Sequence, residues 1–165
     1  MLIRIILLIV ASLVVLLILA GQLGLLRGKP PTNLGLTDGK LKLPSRTENS
    51  VTSQASLYPD HVMRAYAEIA PIAYTGDASS AWAKLEGAIA ALPRTFVVTN
   101  KPLDNGQRYL YAQCTTLLLR FTDDVEFAMD EATQVIHVRS SSRIGRKDLG
   151  VNRARIEAIR TAFNL

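Results

Sequence analysis

The chain is poor in the residues that most often carry chemistry. Its 165 residues include one cysteine, two histidines and one tryptophan. Cys114 cannot form an internal disulfide and has no redox partner, so it is read as a small buried residue in a β-rich stretch. His61 and His137 lie far apart, and neither has a serine or cysteine partner at a readable spacing. The patterns G-x-S-x-G and H-E-x-x-H are absent, and the glycines around Gly145 do not make a P-loop. The length permits one domain with a real core.

Charge is missing from a whole segment. Between Ile5 and Gly24 there is no charged residue, and the only polar ones are Ser12 and Gln22. About twenty such residues cross a bilayer as a helix. A cleaved signal peptide needs small residues around its cut site. Ala20 and Gly21 are there, but without a clean A-x-A. A lipoprotein would need a cysteine just after the apolar run, and none is there. The expectation is therefore an uncleaved single-pass anchor over residues 1–26. Arg27, Lys29, Lys40 and Lys42 after the span would, by charge count alone, keep the following domain inside. A tiny N-terminal tail before a long apolar run is also how export signals look. The expected location is a bacterial inner membrane with the soluble domain in the periplasm.

Residues 27–49 contain Pro30, Pro31, Gly35, Gly39 and Pro44 with little apolar periodicity, so they read as an extended linker laid over the domain. Residues 50–165 read as that single domain. His61 to Thr75 mixes helical spacing with strand-like composition. Gly76–Asp77 marks a turn, with Asp77 or Ser79 as a helix cap. Ala81, Trp82, Leu85, Ala88, Ile89 and Leu92 form one apolar stripe at a 3.6-residue period, ended by Pro93. Strands follow: Thr95–Asn100; a turn at Asp104–Gly106; a long β-prone run from Tyr109 to Thr122, bent in the middle; and an alternating segment in which Val125, Phe127 and Met129 interleave with Asp124, Glu126 and Ala128. "DEAT" is a further turn, and Gln134 to Ser141 is the last strand. A final helix starts near Gly150. Its expected apolar face holds Val151, Ala154, Ile156, Ala158, Ile159, Ala162 and Phe163, with Arg155 inside that arc and Arg153, Glu157 and Arg160 pointing away. Helix, about four antiparallel strands, helix implies an α+β fold with helices against one face of the sheet, in a helix-grip-like arrangement.

Residues 139–160 concentrate seven basic side chains among two acidic ones. Arg155 on an apolar face needs partners, because a guanidinium will not discharge. Asp123 and Asp124 can supply a bidentate pair. The bland reading is a structural ion-pair network of Asp123, Asp124, Asp148 and Arg155 that pins the last helix to the sheet. The functional reading is a ligand site of Ser140, Ser142, Arg143, Asn152 and Arg155, in which turn amides, hydroxyls and guanidinia hold an anion. Gly145 and Gly150 more simply permit turns with positive φ, and Asp148 is placed to cap the last helix. Asp124 and Glu126 share a strand face that could ligate a hard cation or split acid and base roles, but pairing with the basic tail is the expected use. No third ligand lies at an informative spacing, so neither metal nor cofactor is expected. Nucleic acid is not expected either, because the rest of the chain is close to neutral and no aromatic platform is evident.

The phrases "FTDDVEF" (121–127), "VRSSSRIG" (138–145) and "DLGVNRARIE" (148–157) are long and specific. Over Leu43 to Phe163 the chain resembles the DUF1499 family. The resemblance implies a small envelope or membrane-associated domain with no assigned activity. It also carries a departure. The family pattern near the start of the domain is similar to C-P-x-x-x-N-C-V-S-S, and the matching stretch here is "SRTENSVTS". Ser45 and Ser50 stand where cysteines are usual, while Asn49 and Ser53 fit, which removes any cysteine-dependent role from this chain. Further on, Asp123, Asp124, Arg139, Ser140, Ser142, Arg143, Gly145, Asp148, Gly150, Asn152 and Arg155 fit the pattern.

Three functional readings follow. The first is a non-enzymatic membrane-anchored domain that binds a small anion, a lipid headgroup or a protein partner. The second is a hydrolase-like enzyme using Asp124, His137 and Ser142. The third is a purely structural envelope protein. The oligomeric state is not legible.

Overall fold

The computed structural model describes residues 1–103 and 107–165; the turn expected at Asp104–Gly106 lies outside the described residues. Leu2–Gln22 forms a 21-residue helix, α1. Its apolar side chains are exposed along nearly the whole length, and no part of the domain packs on its middle. By length and composition this helix is able to cross a membrane, a property that export signals near an N-terminus share.

The domain contains strands β1 (Ser50–Thr52), β2 (Ile72–Ala73), β3 (Thr95–Pro102), β4 (Arg108–Thr115), β5 (Thr122–Asp130) and β6 (Val135–Ser142), and helices α2 (Arg64–Ala67), α3 (Ala78–Ala90) and α4 (Val151–Phe163). Among the described residues the strands make one antiparallel sheet in the order β1-β6-β5-β4-β3, with β2 also paired to β6. The fold is α+β. The ambiguous segment 61–75 resolves into a single helical turn, α2, and the two-residue strand β2.

Strand alternation sorts side chains between two faces. Leu110, Ala112 and Cys114 of β4, Val125, Phe127 and Met129 of β5, and Ile136 and Val138 of β6 face α3 and α4 and make the main core. α3 contributes the stripe expected of it: Ala81, Trp82, Leu85, Ala88 and Ile89 are buried, and Asp77 caps the helix by accepting from Ser80 N at 2.7 Å. Burial of each large side chain here contributes about 1.5–3 kcal/mol.

Three local expectations change. The β-prone run does not continue through residues 117–121. It reverses there, with Arg120 at φ 55°, so that Thr115 pairs with Thr122. The inward face of α4 is rotated from the expected one. Asn152, Ile156, Ile159 and Phe163 are buried, whereas Val151, Ala154 and Ala158 are exposed. Asn152 turns inward because several polar groups on β6 and the preceding loop bond it, which outweighs the apolar count on the other side. Arg153 and Arg160, expected to point into solvent, instead donate to the carbonyls of Tyr66, Ala70 and Pro71 and tie α4 to that segment.

Over β4 and β5 the second face of the sheet is not open to water. Residues 34–41 lie across it, and Leu34, Leu36, Leu41 and Leu103 pack with Tyr109, Tyr111 and Ala128. For that reason eight of the nine residues of β5 are buried. This strap is held by Gly35 N donating to Glu126 Oε1 at 3.0 Å and by Leu41 N donating to Gln54 Oε1 at 2.7 Å. At the outer edge, β3 is largely exposed and carries a bulge between Val97 and Thr99.

Candidate functional site

The candidate residues fall into two networks on opposite faces of the sheet. On the helix face, cross-strand neighbours Cys114, Asp123 and Ser142 form one row, and Ala112, Val125 and Ser140 the next. α4 lays Asn152 and Arg155 over these rows. Arg155 Nη2 donates to Asp123 Oδ2 at 2.5 Å, and Nη1 donates to Ser140 Oγ at 2.9 Å and Asn152 Oδ1 at 2.8 Å. Ser140 Oγ donates to Asn152 Oδ1 at 2.6 Å. Asn152 Nδ2 faces Asn49 O, Ser142 Oγ and Asp148 Oδ2 at 2.8–3.0 Å. Asp148 accepts from the backbone amides of Gly150 and Asn152 at the start of α4, and from the Tyr66 hydroxyl at 2.5 Å. Burial works against the Asp148 charge, but these donors outweigh it and hold the carboxyl below its ordinary pKa. Burial and the bond to Asp148 push the Tyr66 hydroxyl up to about 12.

On the strap face, Arg143 forks onto Asp124. Nη2 lies 2.7 Å from Oδ1 and Nε 2.9 Å from Oδ2. The Tyr111 hydroxyl donates to Asp124 Oδ1 at 2.6 Å and accepts from Arg143 Nη2 at 3.0 Å and Gln113 Nε2 at 2.8 Å. The bond to Asp124 raises the Arg143 pKa further. One row along, Glu126 is fully buried and accepts from Arg139 Nη1 at 3.0 Å, the Tyr109 hydroxyl at 2.8 Å and the strap amide of Gly35. Burial, followed by the Glu126 charge, pushes the Tyr109 hydroxyl far up. Arg139 Nε is buried without a hydrogen-bond partner among the described residues.

Ser140, Ser142, Asn152 and Arg155 are thus brought together, and Arg143 is not with them. Asp123, Asp148 and Arg155 belong to the same network, linked through Asn152, and Asp124 belongs to the other. Asp124, His137 and Ser142 do not converge. Ser142 faces α4. His137 stands opposite Ala128, four residues along β5 from Asp124, about 13 Å at roughly 3.3 Å per residue. Proton transfer needs about 3 Å or one bridging water. His137 Nδ1 lies 3.2 Å from Ser53 Oγ, and burial lowers its pKa. Cys114 is buried, and that burial raises its thiol pKa. Ser45 and Ser50 are neighbours, with Ser45 N donating to Ser50 Oγ at 2.8 Å.

Of the candidate ligand residues, Arg155 also borders an open cleft. This space of about 330 Å³ lies between Leu92–Thr95, Cys114–Leu117 and the first turns of α4, and Arg94 lines it too. Arg94 is exposed, and its Nε donates to Thr115 O at 3.1 Å. A second cleft of about 350 Å³, beside Tyr74, Lys84 and Phe163, contains none of the candidate residues.

Sequence reasoning places Glu126 against the basic tail without naming Arg139 as its partner, and it misses the strap contact of Gly35 and Arg94. The spacing of Leu34 and Leu36 was a readable sign of an extended segment with one apolar side. The choice of Arg139 within the basic tail had no such sign, because it depends on the β5–β6 register.

A family model described as a protein of unknown function, DUF1499, matches residues 40–163, three quarters of the chain. No curated protein and no solved structure matches it.

Proposed function

The chain belongs to the DUF1499 family, whose function is unknown, and on that premise we propose that it is a membrane-anchored, non-enzymatic binding domain. Its site is the cleft beside Arg155, and its ligand carries a phosphate. α1 is the anchor, in a bacterial inner membrane with the domain in the periplasm. Exposed apolar side chains along 21 residues support that role, because such a surface is stable in lipid and costly in water.

The observation that carries the reading is that two guanidinia, Arg94 and Arg155, line one cleft whose other walls are largely apolar: Leu92, Pro93, Cys114, Leu117 and Val151. Arginine is suited to phosphate recognition, and apolar walls beside it suit the glycerol and acyl portion of a lipid. The carboxylates Asp123, Asp124 and Glu126 are each engaged by an arginine, which favours binding over acid–base chemistry.

The test is native mass spectrometry of the full chain in detergent, with phosphatidylglycerol, phosphatidylcholine or inorganic phosphate added. Retention of phosphatidylglycerol over phosphatidylcholine is expected, with loss in Arg94→Glu. Retention of inorganic phosphate alone would assign the site to a free anion. Equal retention of both lipids, unchanged in Arg94→Glu, would sink the proposal. The structural reading is favoured by one specific fact, that Arg155 already bonds Asp123, Ser140 and Asn152. In that case Arg155 serves only to hold α4.

A further inference from the structure

The exit of α1 is seated on the domain. Gln22 Nε2 donates to the carbonyl of Leu118 at 2.9 Å, and Arg120 Nε donates to Gln22 Oε1 at 3.2 Å. Gly21 is buried against the backbone of Leu119, where an added Cβ would lie 2.6 Å from the carbonyl oxygen. A second close approach follows at Gly28, whose φ is +70° and where a Cβ would lie 2.8 Å from Arg143 Cβ. A cleaved leader would have no reason to fit the mature domain this closely.

These contacts fix the depth of the β4–β5 loop. A 21-residue helix is about 31 Å long at 1.5 Å per residue, close to the roughly 30 Å of a hydrocarbon layer. Its Gly21–Gln22 end therefore marks the membrane boundary, and the loop bonded to it lies at headgroup level. At that level the loop presents Leu117 and Leu118, 64% and 58% exposed. Arg120 is in the same loop, and Arg94 lines the cleft beside Leu117. Apolar tips flanked by basic side chains suit the boundary of an anionic lipid surface.

We propose that Leu117 and Leu118 insert into the membrane that α1 crosses, so that the domain meets the bilayer at two points and is held in one orientation. The cleft lined by Arg94, Leu117 and Arg155 then opens beside the lipid surface. This inference rests on the reading of α1 as a retained membrane span.

The experiment uses the full chain in phosphatidylcholine–phosphatidylglycerol vesicles with a nitroxide at Leu118→Cys, at Leu13→Cys within α1, or at Thr133→Cys in the β5–β6 turn. Each variant also carries Cys114→Ala, so that the introduced thiol alone is labelled. At position 118, relaxation by oxygen is expected to exceed relaxation by a water-soluble nickel chelate, with the opposite order at position 133. Adding Gly21→Leu, which forces a side chain into the Leu119 backbone, is expected to shift position 118 toward water. Water-like behaviour at 118 with position 13 still embedded overturns this proposal alone. Water-like behaviour at 13 as well overturns the anchor and this proposal with it. Depth at 118 unaffected by Gly21→Leu overturns the role of the α1 exit.

Discussion

On the helix-covered face of the sheet, Asp123 and Arg155 sit with Ser140 and Asn152 at the rim of an apolar core, and the Arg155 side chain keeps 12% of its surface beside a cleft. On the strap-covered face, Glu126–Arg139 and Asp124–Arg143 are themselves much of what is buried, with side-chain exposures of 0–5%. The difference follows from what covers each face. Two thirteen-residue helices, α3 and α4, supply most of the apolar cover there. Residues 34–41 supply three leucines and a run of backbone, so tyrosines and ion pairs fill the remaining space. Desolvating two charges is costly, and their attraction offsets the cost only when the other donors and acceptors are also satisfied. The Gly35 amide and the Tyr109 hydroxyl do that for Glu126. Such pairs also fix register, because the strap amide meets its carboxylate in one alignment only.

The largest effect should come from breaking the sealed pair. Glu126→Ala leaves the Arg139 guanidinium, Gly35 N and the Tyr109 hydroxyl without their acceptor. Loss of about 3–5 kcal/mol is expected by chemical denaturation, with faster proteolysis within residues 34–41. If the stability were unchanged, the strap face would have to be open to water. Arg155→Ala should cost less, about 3 kcal/mol at the lower end of the same range, because the cleft lets water reach Asp123. A cost as large as that of Glu126→Ala would show the rim pair to be as sealed as the strap pair.

The smallest effect concerns the start of α4. The Tyr66 pKa in the folded state lies above its ordinary value of 10.0, at about 12. Its contribution to stability is therefore complete below pH 10 and is lost as pH rises through about 12. Thermal melts across that window should fall less steeply in Tyr66→Phe than in the unaltered chain. Parallel slopes would mean that the Tyr66–Asp148 bond does not persist in solution.

Elements that announce themselves by period were legible in the sequence. These include α1 by its uncharged run, α3 by its stripe and cap, and β5 by strict alternation. The polar side of β5 was visible too, but what lay over it was not. Asp124 and Glu126 look the same in sequence whether they face water or a strap. Their partners Arg143 and Arg139 are assigned only by the β5–β6 register, in which Asp124 stands opposite Ser141 and Glu126 opposite Arg139. The rotation of α4 was hidden for a related reason. Asn152 scores as a surface residue on a helical wheel, and only the convergence of Ser140, Ser142, Asn49 and Asp148 makes the interior its better environment.

The margins of the sheet bear on crowding. At high local density an unpaired strand is a template for polymerisation. One margin here is made of strands of two and three residues, β2 and β1, too short to recruit another chain. The other, β3, is long enough, but the bulge between Val97 and Thr99 breaks its hydrogen-bonding rhythm, and Lys101 and Pro102 close its far end with a charge and a missing donor. The sheet is thus guarded at both borders against growing from one molecule into the next.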